Sequence, residues 1–257
     1  LSSLPFLLFC QDSGYEALFY DAGTFYVVRE SVNLAAAKGN KKKESSSYHA
    51  IIEELDLGET DYTVLDACPS EFEFEGDSKG FEGAAAIHDL DGRLVVLGLC
   101  EGNYCSESHK NDTGNGRIVA MTKGVHPDDG SCIWQTLRVI NIPSSAKFRD
   151  YSAMSIDENG RVAITSQEES QVWIGVLEGK NDAGLWDVDA IAFSDEDAVV
   201  YDFPKNDNCE TVYCNIEGIH WVDDNMLLAV SDKMKSKGKQ DFRCFEKDQS
   251  VHAFVLP

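Results

Sequence analysis

Four stretches of this chain share one outline, and that repetition constrains the fold more than any other feature. They are "GYEALFYDAGTFYVVRE" (14–30), "GFEGAAAIHDLDGRLVVLGLCE" (80–101), "DYSAMSIDENGRVAITSQE" (150–168) and "NIEGIHWVDDNMLLAVSDK" (215–233). Each has an aromatic residue or Ile, then Glu (Ser once), then a small residue. A short apolar run follows, then an Asp/Asn/Gly turn, then a second run rich in Val and Leu that ends in charge. The anchor positions are Glu16, Glu82, Ser152 and Glu217, about 65 to 70 residues apart. "DLDG" and "DENG" supply the Asp, Asn and Gly that tolerate the positive φ of a hairpin turn.

Further strand-like runs follow each hairpin: "YHAIIEELDL" and "DYTVLDA", "GRIVAMTK" and "IWQTLRVINI", "QVWIGVLE" and "DVDAIAFS". Each unit is therefore about four antiparallel strands. The sequence predicts an all-β protein, a β-propeller with four recognisable four-stranded blades, at about 15–80, 81–150, 151–215 and 216–257. The last unit is short. Its third strand is "QSVHAFVLP", and the apolar run "LPFLLF" in residues 1–10 supplies the closing fourth strand. The alternative is a five-bladed or larger ring truncated at the N-terminus. "VNLAAAKGNKKKE" (32–44) is the single candidate for a helical turn.

In such a ring the first strand of each unit lines the axis, so Glu16, Glu82 and Glu217 converge, with Ser152 and its neighbour Asp150 completing the circle. Converging carboxylates repel unless a cation neutralises them. Hard oxygen ligands suit Ca²⁺ or Mg²⁺, so these three glutamates form the candidate metal site. Capping of strand-start backbone or contact with channel water is the competing reading. The ends of the second strands return to the same face. Arg29, Glu30, Glu101, Glu168, Asp232 and Lys233 would ring the mouth, either as contacts for a polar ligand or as a salt-bridge network.

The hairpins "FEG…LVVLGLCEGN", "YSAMSIDENGRVAITSQEES" and "IEGIHWVDDNMLLAVSDK" resemble those of the SdiA-regulated-like propeller family and, more distantly, the esterase-like phytase propellers. The resemblance covers all four units. It implies a propeller fold and, from the phytase side, a metal-dependent phosphoester hydrolase. The chain departs from the pattern at Ser152, in its cysteines, in inserts at 33–47 and 103–115, and in lacking an opening unit. A binding module with a polar small molecule or protein partner at the channel face is the preferred reading, because a phosphate site wants more cationic side chains than Arg29 and Lys233.

Charge and cysteine bound the remaining possibilities. With 45 acidic and 22 basic side chains the formal net charge is −23, which disfavours nucleic acid and anionic membranes as partners. No apolar run reaches the length of a spanning helix. Eight cysteines, two of them pairs spaced C-x4-C, indicate disulfides and a secreted or extracellular protein; Cys100–Cys105 and Cys209–Cys214 are the expected local bridges. "NDT" at Asn111 is a glycosylation sequon. "GDSKG" (76–80) lacks the strand–turn–helix setting of a hydrolase serine. The six histidines show no metal or triad grouping, and His220 is expected in the core or an interface. Lys41–Lys43 belong to a solvated loop. Trp134, Trp173, Trp186 and Trp221 are expected to pack between units.

Overall fold

The computed structural model describes residues 14–34, 47–76, 79–233, 244 and 247–257. The expected closing strand at 1–10, the "KKKE" loop and most of the 32–44 stretch lie outside those residues; Val32 and Asn33 continue a strand. The protein is all-β and propeller-like. Its strands run β1 Tyr15–Asp21, β2 Thr24–Asn33, β3 Tyr48–Leu57, β4 Tyr62–Phe74, then β5 Phe81–His88, β6 Leu94–Cys100, β7 Arg117–Val125, β8 Cys132–Asn141. They continue with β9 Ala153–Ile156, β10 Arg161–Ser166, β11 Gln171–Glu178, β12 Ala192–Asp202, and end with β13 Ile216–Trp221, β14 Met226–Ser231 and β15 Val251–Val255. Within each group successive strands pair antiparallel. β1–β4 and β5–β8 are joined through their outer strands into one eight-stranded sheet; β9–β12 and β13–β15 form sheets of four and three.

The join between the first two groups consists of a parallel bridge between Ser70 and Trp134 and the Cys68–Cys132 disulfide. That bridge closes a 64-residue separation, a loop long enough for about 4 kcal/mol of chain-entropy stabilisation. Cys100–Cys105 is bridged as expected. Cys209–Cys214 is not: Cys214 pairs with Cys244, and the exposed Cys209 has no disulfide partner among the described residues. The cause is local. Asn206 folds 205–211 into its own turn, its Oδ1 accepting the N–H groups of Asn208 and Glu210 at 3.0 and 2.9 Å. Cys209 sits in that turn at φ 62° and is exposed.

The hairpin tips reuse one device. Asp89 Oδ1 accepts the N–H groups of Asp91 and Arg93, both at 2.9 Å, and its Oδ2 accepts Arg93 Nε at 2.8 Å. Asp157 repeats this with Asn159, Arg161 and Arg161 Nε at 2.9, 2.8 and 2.6 Å. Gly92 and Gly160, at φ 76° and 82°, occupy the position that a Cβ would strain. The motif D-x-[DN]-G-R is thus a turn that satisfies its own backbone. "DVDAIAFS" fares differently, since β12 covers 192–202. Residues 187–191 close a turn instead, in which Asp187 takes the N–H groups of Asp189 through its side chain and Ala190 through its carbonyl.

Apolar faces meet between consecutive groups. Tyr26, Val28, Ile52, Phe81, Val96 and Trp134 fill the space between the first and second, and Leu97, Ile118, Tyr151, Ile164 and Trp173 the space between the second and third. Val172, Phe203, Ile216, Trp221 and Leu227 do so between the third and fourth. All four tryptophans are buried in these layers. Truncating Trp173, with no exposed surface, to Ala removes a payload of about 3–5 kcal/mol. The first strands lie side by side, β5 between β1 and β9, and β9 beside β13. Among the described residues no such layer joins the fourth group to the first. Leu18 and Tyr20 on one side, and Leu228, Val230, Val251 and Val255 on the other, are exposed.

Candidate functional site

Three of the four first strands carry the same irregularity at the same place. Tyr15 pairs with Arg29 and Ala17 with Val28, so Glu16 is an extra residue in the strand register. Phe81 pairs with Cys100 and Gly83 with Leu99, leaving Glu82 extra. Ile216 pairs with Ser231 and Gly218 with Val230, leaving Glu217 extra. Each glutamate is therefore the inserted residue of a β-bulge, a device that re-aims a side chain out of the pleat. The small residue after it has a packing reason. A Cβ on Gly83 would stand 2.7 Å from the Met154 nitrogen, and one on Gly218 would stand 2.3 Å from Val230 Cγ2.

The aim of the bulges is a cavity of about 430 Å³ bounded by all four groups. Glu16, Glu82 and Glu217 line it together with Leu18, Val27, Ala84, Met154, Ile219 and Val230. Glu82 is the most constrained of the three. Its partial exposure is to the cavity, and protein surrounds its carboxyl on the other sides. Burial, then the charges of Glu16, Glu101, Glu30 and Glu217, push that carboxyl well above the usual carboxylate range. Four carboxylates thus act on Glu82, two of them from the ends of second strands. The backbone explains how those ends arrive: the N–H groups of Glu30, Glu101 and Asp232 donate to the carbonyls of Gly14, Gly80 and Asn215. Lys79 counters part of the charge, its Nζ lying 2.9 Å from Glu101 Oε2.

The fourth position of the circle is built otherwise. Ser152 is buried; its Oγ donates to the Ile216 carbonyl at 2.8 Å and lies 3.0 Å from Thr165 Oγ1, tying β9's start to β13. Asp150 turns toward the end of β10, accepting Ser166 Oγ at 2.5 Å and the N–H of Gln167 at 3.0 Å. Burial raises its carboxyl to about 7, with the Glu169 charge adding to the rise. Neither residue lines the cavity.

The outer set of sequence-predicted residues separates. Glu30 and Glu101 act on Glu82. Arg29 is buried, its Nη1 3.2 Å from Glu53 Oε1 within the first group, under the Tyr15 ring. Glu168 donates its N–H to the Asp150 carboxylate at 3.3 Å. Asp232 and Lys233 are exposed after β14. His220 is exposed rather than in the core, because it shares the outward face of β13 with Leu228 on β14. Asn111 is exposed, as a glycosylation acceptor requires. The bulges and the apolar lining of the cavity escape a reading by residue type alone. The signal that could have revealed the bulges is the aromatic-or-Ile, Glu, small-residue triplet.

Among the described residues, one group of three brings potential metal-ligand atoms within 4.8 Å of one another: Asp66, Cys68 and Cys132. Its two sulfurs are joined in a disulfide and offer no thiolate. Asp66 is held by Lys123 Nζ at 2.6 Å. This cluster is structural.

Compared with family models and with curated protein sequences, the chain matches none. Among solved structures, it is similar to Sqt1 from Chaetomium thermophilum at 12% identity and TM-score 0.37, over 86% of this chain and 42% of that one. It is similar also to a chain of Chaetomium thermophilum Polycomb Repressive Complex 2 bound to GSK126, at 7% identity and TM-score 0.37, over 95% of this chain and 58% of that one. The chain spans about half the length of these structures.

Proposed function

We propose that this protein is a binding module of propeller type, its four groups of strands acting as blades. In this reading its acidic cavity takes a divalent cation, Ca²⁺ or Mg²⁺, and with it a polar ligand or protein partner. The observation that carries this is the convergence of three bulged glutamates on a cavity where burial, and then the charges of its neighbours, force the Glu82 carboxyl upward. A cation entering such a site relieves the part of that cost that comes from charge repulsion. Three disulfides support a secreted setting.

Metal-dependent phosphoester hydrolysis is the second reading, and the placement of the basic residues weighs against it. A phosphate clamp needs cationic side chains facing the metals. Arg29 is engaged by Glu53 and Lys79 by Glu101, and among the described residues the cavity lining contains no Lys or Arg.

The test is thermal. At a free Ca²⁺ concentration one hundred times its Kd, mass action adds about 2.7 kcal/mol, which for a domain of this size raises Tm by roughly 5 to 10 °C. Glu82→Gln should shrink that shift while raising the Tm of the metal-free protein, because the replacement keeps the shape and removes one of the repelling charges. A melting curve that neither millimolar Ca²⁺ nor Mg²⁺ nor chelator moves would remove the metal from the proposal and the hydrolase reading with it.

A further inference from the structure

Of the eight cysteines in this sequence, the three disulfides use six, and Cys10 and Cys209 are left. Cys209 is exposed in the Asn206 turn, while Cys10 lies outside the described residues. In a chain that already carries three disulfides, an even remainder of two is the arithmetic of a fourth.

Placement agrees with the count. Gly14 and Asn215 hold equivalent positions, each just before the first strand of its group, and accept the N–H groups of Glu30 and Asp232. Glu16 and Glu217, two residues further on in each case, line the same cavity. The chain therefore enters β1 and β13 at one end of the molecule. Cys10 precedes Gly14 by four residues, a span of at most about 14 Å, and Cys209 precedes Asn215 by six, at most about 21 Å. The segment after Cys209 is fixed. Ser170 Oγ donates to the Tyr213 carbonyl, and the Tyr213 ring lies 4.9 Å from that of His252 and 5.1 Å from that of Phe254, both on β15. Cys214 is bridged to Cys244. Cys209 is thus tethered four residues from a side chain packed on β15, whose exposed Val251 and Val255 continue the apolar face of Leu228 and Val230. The apolar run "LPFLLF" ends at the residue before Cys10, which suits that face. A disulfide needs its Cα atoms about 4.4–6.8 Å apart, within the reach of both tethers.

We propose that Cys10 and Cys209 form a fourth disulfide, fastening the N-terminal apolar run to the turn that leads into the fourth group. It forms by exchange: one thiolate attacks a small-molecule or protein disulfide of the oxidising compartment, and the other thiolate then displaces the mixed disulfide. The two cysteines lose two protons and two electrons, and the donor departs as two thiols. The first and fourth groups, which share no apolar layer among the described residues, become joined covalently through the segment that enters β1. Nothing in this bond depends on a cation in the cavity.

Peptide mapping of the unreduced full chain from an oxidising host tests it. A linked pair of peptides containing Cys10 and Cys209 is expected beside the three described bridges, and a thiol alkylator should label neither residue. Cys209→Ser should keep the other three bridges and make Cys10 reactive. Cys10→Ser and Cys209→Ser should each lower Tm by roughly 5 to 15 °C, as for opening a loop of about 200 residues, and the double variant should lose no more than either single one. Alkylation of Cys209 in the parent, a bond from Cys209 to a second chain, or Tm losses that add overturns the proposal. If the three described bridges are found without this one, the pairing alone falls; if none is found, the secreted setting falls with it.

Discussion

Ser166 has one hydroxyl hydrogen and two carboxylates that take it. Its Oγ is within hydrogen-bond reach of Asp150 and of Glu169, so one carboxyl of the pair does best by carrying a proton itself. Burial above all, then the Glu169 charge, lifts Asp150 from 3.8 to about 7, against the Ser166 hydrogen bond, which pulls the other way. An acid whose folded pKa is raised holds its proton in the native state while the unfolded chain has released it. Its contribution to stability is therefore full below about 4 and is lost as pH rises towards 7. Replacing Glu169 with Gln should lower the Asp150 pKa and spare the part of that loss that the Glu169 charge causes, the part due to burial remaining. We expect the Tm difference between Glu169→Gln and the parent to be near zero at pH 4 and to favour the variant at pH 7.5. A difference independent of pH would show that the pair does not share a proton. The three cavity glutamates were legible in the sequence because a charged residue at the head of an apolar run is conspicuous. Their bulges were not, since a bulge is a property of the pairing with the next strand. Asp150 could be seen as a member of the circle but not as the cap of β10, because the choice depends on where the β10 turn ends.

Among the strands, hairpins were readable wherever turn chemistry was local. Asp89 and Asp157 each close their own turn, and "DLDG" and "DENG" say so. β12 was read too early because its acidic run "SDEDAVVYD" carries little hydrophobic pattern; it is held by β11 rather than by its own residues. The Cys209–Cys214 expectation failed for the complementary reason, a local turn overriding a spacing. The last strand carries a prediction of its own. Among the described residues β15 has a partner only in β14. Ser231 N–H donates to Ser250 O and Leu256 N–H to Asn225 O, and alternation along the antiparallel ladder turns the amides of Val251, Ala253 and Val255 to the other edge. In the groups before it, β4, β8 and β12 are each followed in sequence by the first strand of the next group. "LPFLLF" would be followed by β1 in the same way if it pairs on β15. Hydrogen exchange should then find those three amides protected in the full chain and exposed when residues 1–9 are deleted. Fast exchange in the full chain would show that the edge is open, and protection that grows with protein concentration would assign the edge to a second copy.

Nearest-neighbour packing dominates the architecture: each apolar layer is shared by consecutive groups, as in proteins assembled from stacked repeats. Charge acts differently, because it sums over every group at once. A formal charge of −23 on 257 residues repels itself in the folded chain more than in the expanded one. Added salt should therefore stabilise the fold by shortening the Debye length from about 30 Å at 0.01 M to about 8 Å at 0.15 M. Two contributions then separate by their sensitivity to one residue. The diffuse part depends on the total charge and should persist almost unchanged in Glu82→Gln. The part that comes from the cavity falls when one carboxylate of the cluster is removed. We expect Tm to rise steadily with NaCl in both proteins, with the variant starting higher at low salt and the two curves converging as salt screens the exposed charges. Parallel curves would mean that Glu82 is neutralised by a partner the cavity already provides, and a Tm insensitive to salt would mean that the surface charge is paired locally rather than acting as a sum.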